Sequence, residues 1–301
     1  MLNFIMRSFA LSFSIFIRAV PMWAFLGALL YVGLMMLWDH PIVFILLLLL
    51  GMGTTTFFMM FSQIRSGLSV LGETTPPDIG KLLKKSVRFC FFVGLWSTLV
   101  TLLSVAGFFT LGYLGLFDWD RMFELALAGT PEAQSELESV FSGAGVYAYY
   151  VISSTLTQIA YCAIAVPMAA NAASCSAKAR DYEIFWGFGA YAFRMFLLNL
   201  IAGTILTVGL ILYFVLGITM AASTFSGLDE ASILEAFQQA PGWREMLTLG
   251  ALIALPVLAL IWWGALWCAG ATIAFVDRRN VSEAKFQQEL ECIYEEPMAR
   301  E

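Results

Sequence analysis

Six stretches of this chain run for twenty residues or more without an Asp, Glu, Lys or Arg: 19–38, 42–62, 89–117, 146–172, 195–223 and 247–276. About 20 apolar residues in a helix cross the roughly 30 Å of a bilayer's hydrocarbon. In lipid no water can satisfy a free backbone group, so such stretches must be helical or close into a barrel. Their length favours helices, and the expected fold is an all-α polytopic membrane protein with six transmembrane helices. Composition agrees: 60% of residues are hydrophobic and 13% charged, against about 25% charged in soluble domains. A soluble enzyme and a disordered chain are excluded on this ground. A net charge of −6 with no clustered basic surface argues against nucleic acid as a partner.

Orientation follows from the cations. Arg7 and Arg18 precede the first stretch, and Arg65, Lys81, Lys84, Lys85 and Arg88 lie between the second and third. Lys178, Arg180 and Arg194 lie between the fourth and fifth, and Arg278, Arg279, Lys285 and Arg300 follow the sixth. Fourteen of the sixteen basic residues thus fall on one side, with Arg121 and Arg244 on the other. The opposite loops are acidic, carrying Asp118, Asp120, Glu124, Glu132, Glu136, Glu138, Asp229, Glu230, Glu235 and Glu245. Both termini are therefore expected in the cytoplasm of a bacterial inner membrane, with the N-terminal stretch retained. Trp38, Trp119, Trp243 and Tyr147, Tyr149 and Tyr150 mark the outer interface, and Trp186 the inner one.

The six spans group into three in-out-in hairpins, about 8–62, 79–172 and 185–276, forming one membrane domain over 1–276 with an acidic cytoplasmic tail at 277–301. Asp39, His40 and Pro41 make the first hairpin's tight turn. Each hairpin opens on a mixed apolar and basic stretch, at 8–18, 79–88 and 185–194, expected to form a short interfacial amphipathic helix. In the middle one Lys81, Lys84, Lys85 and Arg88 share a helix face, an arrangement suited to anionic lipid headgroups. Pro76 and Pro77 with Asp78 set its start. The second and third hairpins each carry an acidic amphipathic segment in the outer loop, 121–128 and 228–240, which reads as a parallel repeat. In the tail, Phe286, Leu290 and Ile293 form an apolar stripe able to dock on the protein's own inner face or on a partner.

The segments SFALSFSIFIRAVPMW, DHP and PPDIGKLLKKSVRF resemble those of a diffuse group of six-span bacterial inner-membrane proteins of unknown activity. That group is similar in turn to the membrane domain attached to some glycerophosphodiester phosphodiesterases. The resemblance covers roughly residues 8–276. It implies the six-span fold, but no catalytic phosphodiesterase segment is present from which an activity would carry over, and no functional residue transfers.

No charged residue lies inside a span, so the intramembrane carboxylate that usually marks a proton or ion path is missing. The polar residues within spans are Thr54, Thr55, Thr56, Gln158, Asn171, Asn199 and Thr204. Most are expected to bond between helices or back to their own helix. Gln158, near mid-span, stands out because an amide there needs a partner. Trp262, Trp263 and Trp267 lie deep in the sixth span; with Gln158 and Asn199 they are the candidate lining of a cavity for an apolar ligand, or alternatively packing residues. Pro167 and the small residues of the fourth span allow close packing and a kink.

His40 is the single histidine and the five cysteines are scattered, so neither a metal cluster nor a disulfide framework is expected. No nucleophile elbow, Walker loop or zinc-protease motif occurs. The chain is expected to be no enzyme and to need no cofactor. Two functions remain: a structural, accessory or assembly component of a membrane complex with a membrane-protein partner, or a carrier or flippase for an apolar or amphipathic molecule.

Overall fold

The computed structural model describes residues 1–36, 40–72, 78–113, 115, 119–141, 144–175, 181–225 and 243–298. Asp39, Pro76, Pro77, Asp118, Lys178, Arg180 and the outer segment 228–240 lie outside them, as do the side chains of 41–52, Leu290 and Ile293. All described regular structure is helical: α1 Leu2–Met36, α2 Pro41–Val70, α3 Ile79–Tyr113, α4 Trp119–Ala128, α5 Pro131–Phe141, α6 Ala144–Cys162, α7 Ala165–Ala173, α8 Ala192–Phe225 and α9 Trp243–Met298. Five segments, Leu2–Gly33, Ile79–Thr110, Val146–Ala173, Ala192–Gly217 and Ala254–Gln288, are long and apolar enough to cross a membrane. The expected span at 42–62 falls within the helical α2.

The core sits at one end of the bundle. It is built from the start of α1 (Phe4, Leu11, Ile15), the end of α2 (Phe61, Ile64, Leu68), the start of α3 (Leu82, Phe89), all of α7, the start of α8 (Met195, Leu198, Ala202) and α9 from Ala265 to Val276. This is the end that carries the basic stretches. Toward the other end, large apolar side chains such as Leu29 on α1, Leu102 on α3 and Leu212 on α8 are exposed. Small residues explain the difference. A Cβ at Gly270 would lie 2.6 Å from Leu198 Cδ2, and one at Gly67 would lie 3.0 Å from both Ile15 Cδ1 and Thr272 Oγ1. Helices approach this closely only where one side contributes no side chain. Ion pairing and hydrogen bonding tie the rim of this end: Arg7 Nη1 lies 3.2 Å from Asp277 Oδ1, and Arg18 donates to Ser66 at 3.3 Å.

Two of the three stretches expected as interfacial helices are not separate elements. Residues 8–18 and 79–88 are the opening turns of α1 and α3, which run unbroken into the apolar segments. Extending a helix adds a hydrogen bond per residue, whereas a second helix must be nucleated afresh, and α1 continues even through Pro21. The third stretch is not helical before Ala192. Residues 184–191 form consecutive turns in which Phe188 N–H donates to Phe185, Ala190 to Gly187 and Ala192 to Gly189. The third residue of each turn is left-handed, Gly187 at φ 75°, Gly189 at 73° and Tyr191 at 62°, the arrangement of type II turns.

Pro167 explains where this turn segment docks. Proline has no N–H for the carbonyl four residues earlier, which belongs to Ala163. That carbonyl instead accepts the Gly189 N–H at 3.0 Å, and the helix breaks at Ala163 and Ile164. Pro167 itself occupies the first turn of α7, where a missing donor costs nothing. The fourth span is thus divided at Ala163 and Ile164, where the chain stays in the right-handed region at Ile164 but regular helical hydrogen bonding lapses. On the acidic side, α4 and α5 form a small helical hairpin closed by Met122, Leu125 and Ala133 and by Arg121 bonding both oxygens of Glu136 at 2.9 and 3.0 Å. The first of the two expected outer amphipathic segments is therefore α4. At the other terminus α9 stays helical across residue 277, and Phe286 is exposed on it.

Candidate functional site

α8 presents two faces. Met195, Leu198 and Ala202 are buried, and Met195 and Leu198 lie against α9 at Gly270. Phe196, Asn199, Leu200, Gly203, Thr204, Thr207 and Val208 recur at three- and four-residue spacing on the next face, and line an open groove of about 390 Å³ completed by Gln158 of α6 and Trp263 of α9. α6 is held in place by α3, through Trp96 Nε1 donating to Ala160 O at 3.1 Å and Ser97 sharing a 2.7 Å hydrogen bond with Tyr161. That leaves Gln158 facing the groove.

The polar groups of the groove differ in how far the chain satisfies them. Thr204 Oγ1 donates to its own helix at Leu200 O, 2.8 Å away, so its hydroxyl hydrogen is taken. Among the described residues Asn199 Nδ2 reaches only the Cys162 sulfur at 3.6 Å, a weak acceptor. Gln158 is exposed and has no hydrogen-bond partner among the described residues. A Cβ built on Gly203 meets nothing within 4 Å, so the space above this glycine is open.

Of the five residues named from sequence, the groove gathers Gln158, Asn199 and Trp263. Trp262 turns to α1, with ring centroids 5.8 Å from Phe9 and 6.1 Å from Phe13, and Trp267 packs on the core. Sequence reasoning passed over Phe196, Leu200, Gly203, Thr207 and Val208. Their common face of α8 was legible, but that α6 and α9 leave this face uncovered was not. Asn171, also noted from sequence, is satisfied within the backbone: its Nδ2 donates to Pro167 O at 2.9 Å.

At the basic end, Lys81, Lys84 and Arg88 are exposed while Leu82, Ser86 and Phe89 form the buried face of α3. Lys85 belongs to neither set. Its Nζ donates to Ser174 Oγ and pairs with Asp181, at the C-terminal end of α7, where Arg65 also donates to Ala173 O at 3.2 Å. Cations at a helix C-terminus meet its unsatisfied carbonyls and partial negative charge. The Lys85 hydrogen bond, and then its charge, hold the Asp181 carboxyl below its ordinary range. Burial pushes the neighbouring Cys175 thiol up to about 11, which leaves it unreactive near neutral pH.

Among the described residues no group of three His, Cys, Asp or Glu side chains is placed to hold a metal ion. No protein-family model, curated protein or solved structure matches the chain.

Proposed function

We propose that this chain is a six-span protein of a bacterial inner membrane, arranged as three in-out-in hairpins with both termini in the cytoplasm. We assign it a non-enzymatic role as an accessory or assembly component of a membrane complex. The observation that carries this reading is the filling of the bundle's basic end. Ala165, Val166, Met168, Ala169, Ala170 and Ala172 are buried there with Phe61, Phe89 and Phe275, and Ser8, Ser12, Ser86, Asn171, Ser174 and Thr272, buried at the same end, donate to carbonyls of their own helices, which is how a packed interior rather than a solute path disposes of its polar groups. The opposite halves of α1, α3 and α8 carry apolar side chains around much of their circumference, a surface that lipid or other helices must cover. The cation asymmetry supports the orientation, and exposed Lys81, Lys84 and Arg88 suit anionic headgroups.

The groove between α6 and α8 favours the second reading, a carrier or flippase for an amphipathic molecule. One experiment separates the two. The full-length protein, purified by affinity tag in mild detergent, is analysed by mass spectrometry. An accessory component brings down a defined membrane protein in fixed ratio. A protein recovered alone that moves a labelled lipid between leaflets of reconstituted vesicles would instead establish the carrier.

A further inference from the structure

Gln158 is an exposed amide at mid-span. It lies twelve residues into the membrane-long segment Val146–Ala173, about 18 Å along the helix and so near the middle of the roughly 30 Å of hydrocarbon. With Val151 and Ser154 it recurs at three- and four-residue spacing on an exposed face of α6, and among the described residues nothing bonds to it. Beside it in the groove, Asn199 spends its N–H on the Cys162 sulfur, and among the described residues no donor reaches its carbonyl oxygen. At this depth no water is present to satisfy either group.

Whatever covers the groove must therefore offer a primary amide both an acceptor and a donor. A hydrocarbon chain offers neither. An apolar ligand bearing only a carbonyl accepts without donating, and leaves the Gln158 oxygen bare. A second copy of this chain brings the group that fits. Two primary amides related by a two-fold axis exchange two hydrogen bonds, each N–H donating to the other's oxygen, and a two-fold contact sets the same residue against itself. The approach is open as well. A Cβ on Gly203, in the same groove, meets nothing within 4 Å, so a neighbouring helix can come close to the backbone of α8. We infer that two copies pair in the membrane through the groove between α6 and α8, about a two-fold axis along the membrane normal. The two Gln158 amides bond to each other, and Leu200, Val208 and Trp263 around them exclude lipid. The inference rests on α6 and α8 lying in the membrane; it holds for either orientation and does not depend on a different protein binding elsewhere.

The test is cross-linking and energy transfer on the full-length protein in bilayers, in a background without native cysteines. Ser154 is one turn from Gln158 on the same exposed face, so Ser154→Cys, oxidised in the membrane, gives an adduct of twice the monomer's mass. Leu29→Cys, also exposed but on α1, gives none. Gln158 touches no polar group of its own chain among the described residues, so Gln158→Leu leaves the monomer's packing alone. It lowers the Ser154→Cys adduct about fivefold and raises about tenfold the density at which energy transfer between labelled copies is half-maximal, as for two interhelical hydrogen bonds. Adduct and transfer unchanged by Gln158→Leu would overturn the inference. So would a Ser154→Cys protein that stays monomeric on oxidation, one whose adduct contains a different polypeptide, or an equally abundant adduct from Leu29→Cys.

Discussion

Replacing Gly187 by alanine tests the docking of the turn segment on α7. Two costs add at this position. Its φ of 75° lies in the left-handed region, where a Cβ costs roughly 1–2 kcal/mol. The same Cβ would stand 2.5 Å from Val166 Cγ1. Val166 is fully buried in α7 and has no room to withdraw, so overpacking adds about 1–3 kcal/mol. The sum is about 2–5 kcal/mol. Gly189 provides the internal control: its φ is 73°, yet a Cβ there meets nothing within 4 Å, so Gly189→Ala costs only the conformational part, about 1–2 kcal/mol. Reversible unfolding in mixed detergent–SDS micelles, followed by tryptophan fluorescence, measures both. Gly187→Ala should be the more destabilised by about 1–3 kcal/mol. Equal losses would refute the contact with Val166, and no loss in either would refute the succession of left-handed turns.

Two further predictions concern the basic end. In a background without native cysteines, Cys introduced at Ser135 or Ser232 should react with an impermeant thiol reagent in intact cells and Cys at Ser66 or Ser282 should not; the opposite pattern reverses the proposed orientation. In a peptide spanning residues 77–88, changing Lys81, Lys84 or Lys85 singly to Glu should weaken binding to anionic vesicles by similar amounts, on the order of 1–2 kcal/mol each. In the intact protein Lys85→Glu should lower the unfolding midpoint more than the other two, because among the three only Lys85 bonds directly to Asp181 and to Ser174 at the C-terminal end of α7. Equal midpoints for the three variants would remove Lys85 from its capping role.

Lys85 also shows where reading the chain alone falls short. Helical periodicity places it with Lys81, Lys84 and Arg88 on one charged face, and three of those four residues are indeed exposed. What turns Lys85 inward is the end of α7, brought beside α3 from some ninety positions away. The stretch at 185–194 is a second case. Its apolar residues leading to Arg194 read as an interfacial helix, but Gly187 and Gly189 were free to take left-handed turns, and the Ala163 carbonyl released by Pro167 offered the Gly189 N–H a partner. Neither circumstance is local to that stretch.

The amino-acid sequence by itself determined the class, because uncharged runs as long as a bilayer is thick leave helices as the solution that satisfies the backbone. It also determined the uneven distribution of cations, and it singled out Gln158, Asn199 and Trp263 as polar or aromatic groups set among apolar neighbours. Tertiary structure alone decided that these three meet at one groove while Trp262 and Trp267 do not. It also decided which end of the bundle buries its large apolar side chains and which leaves them exposed. Helix periodicity says which residues share a face, but which faces are covered depends on close approaches such as that of Gly270 to Leu198. Those approaches join residues far apart in the chain, and they are settled only when the whole bundle packs.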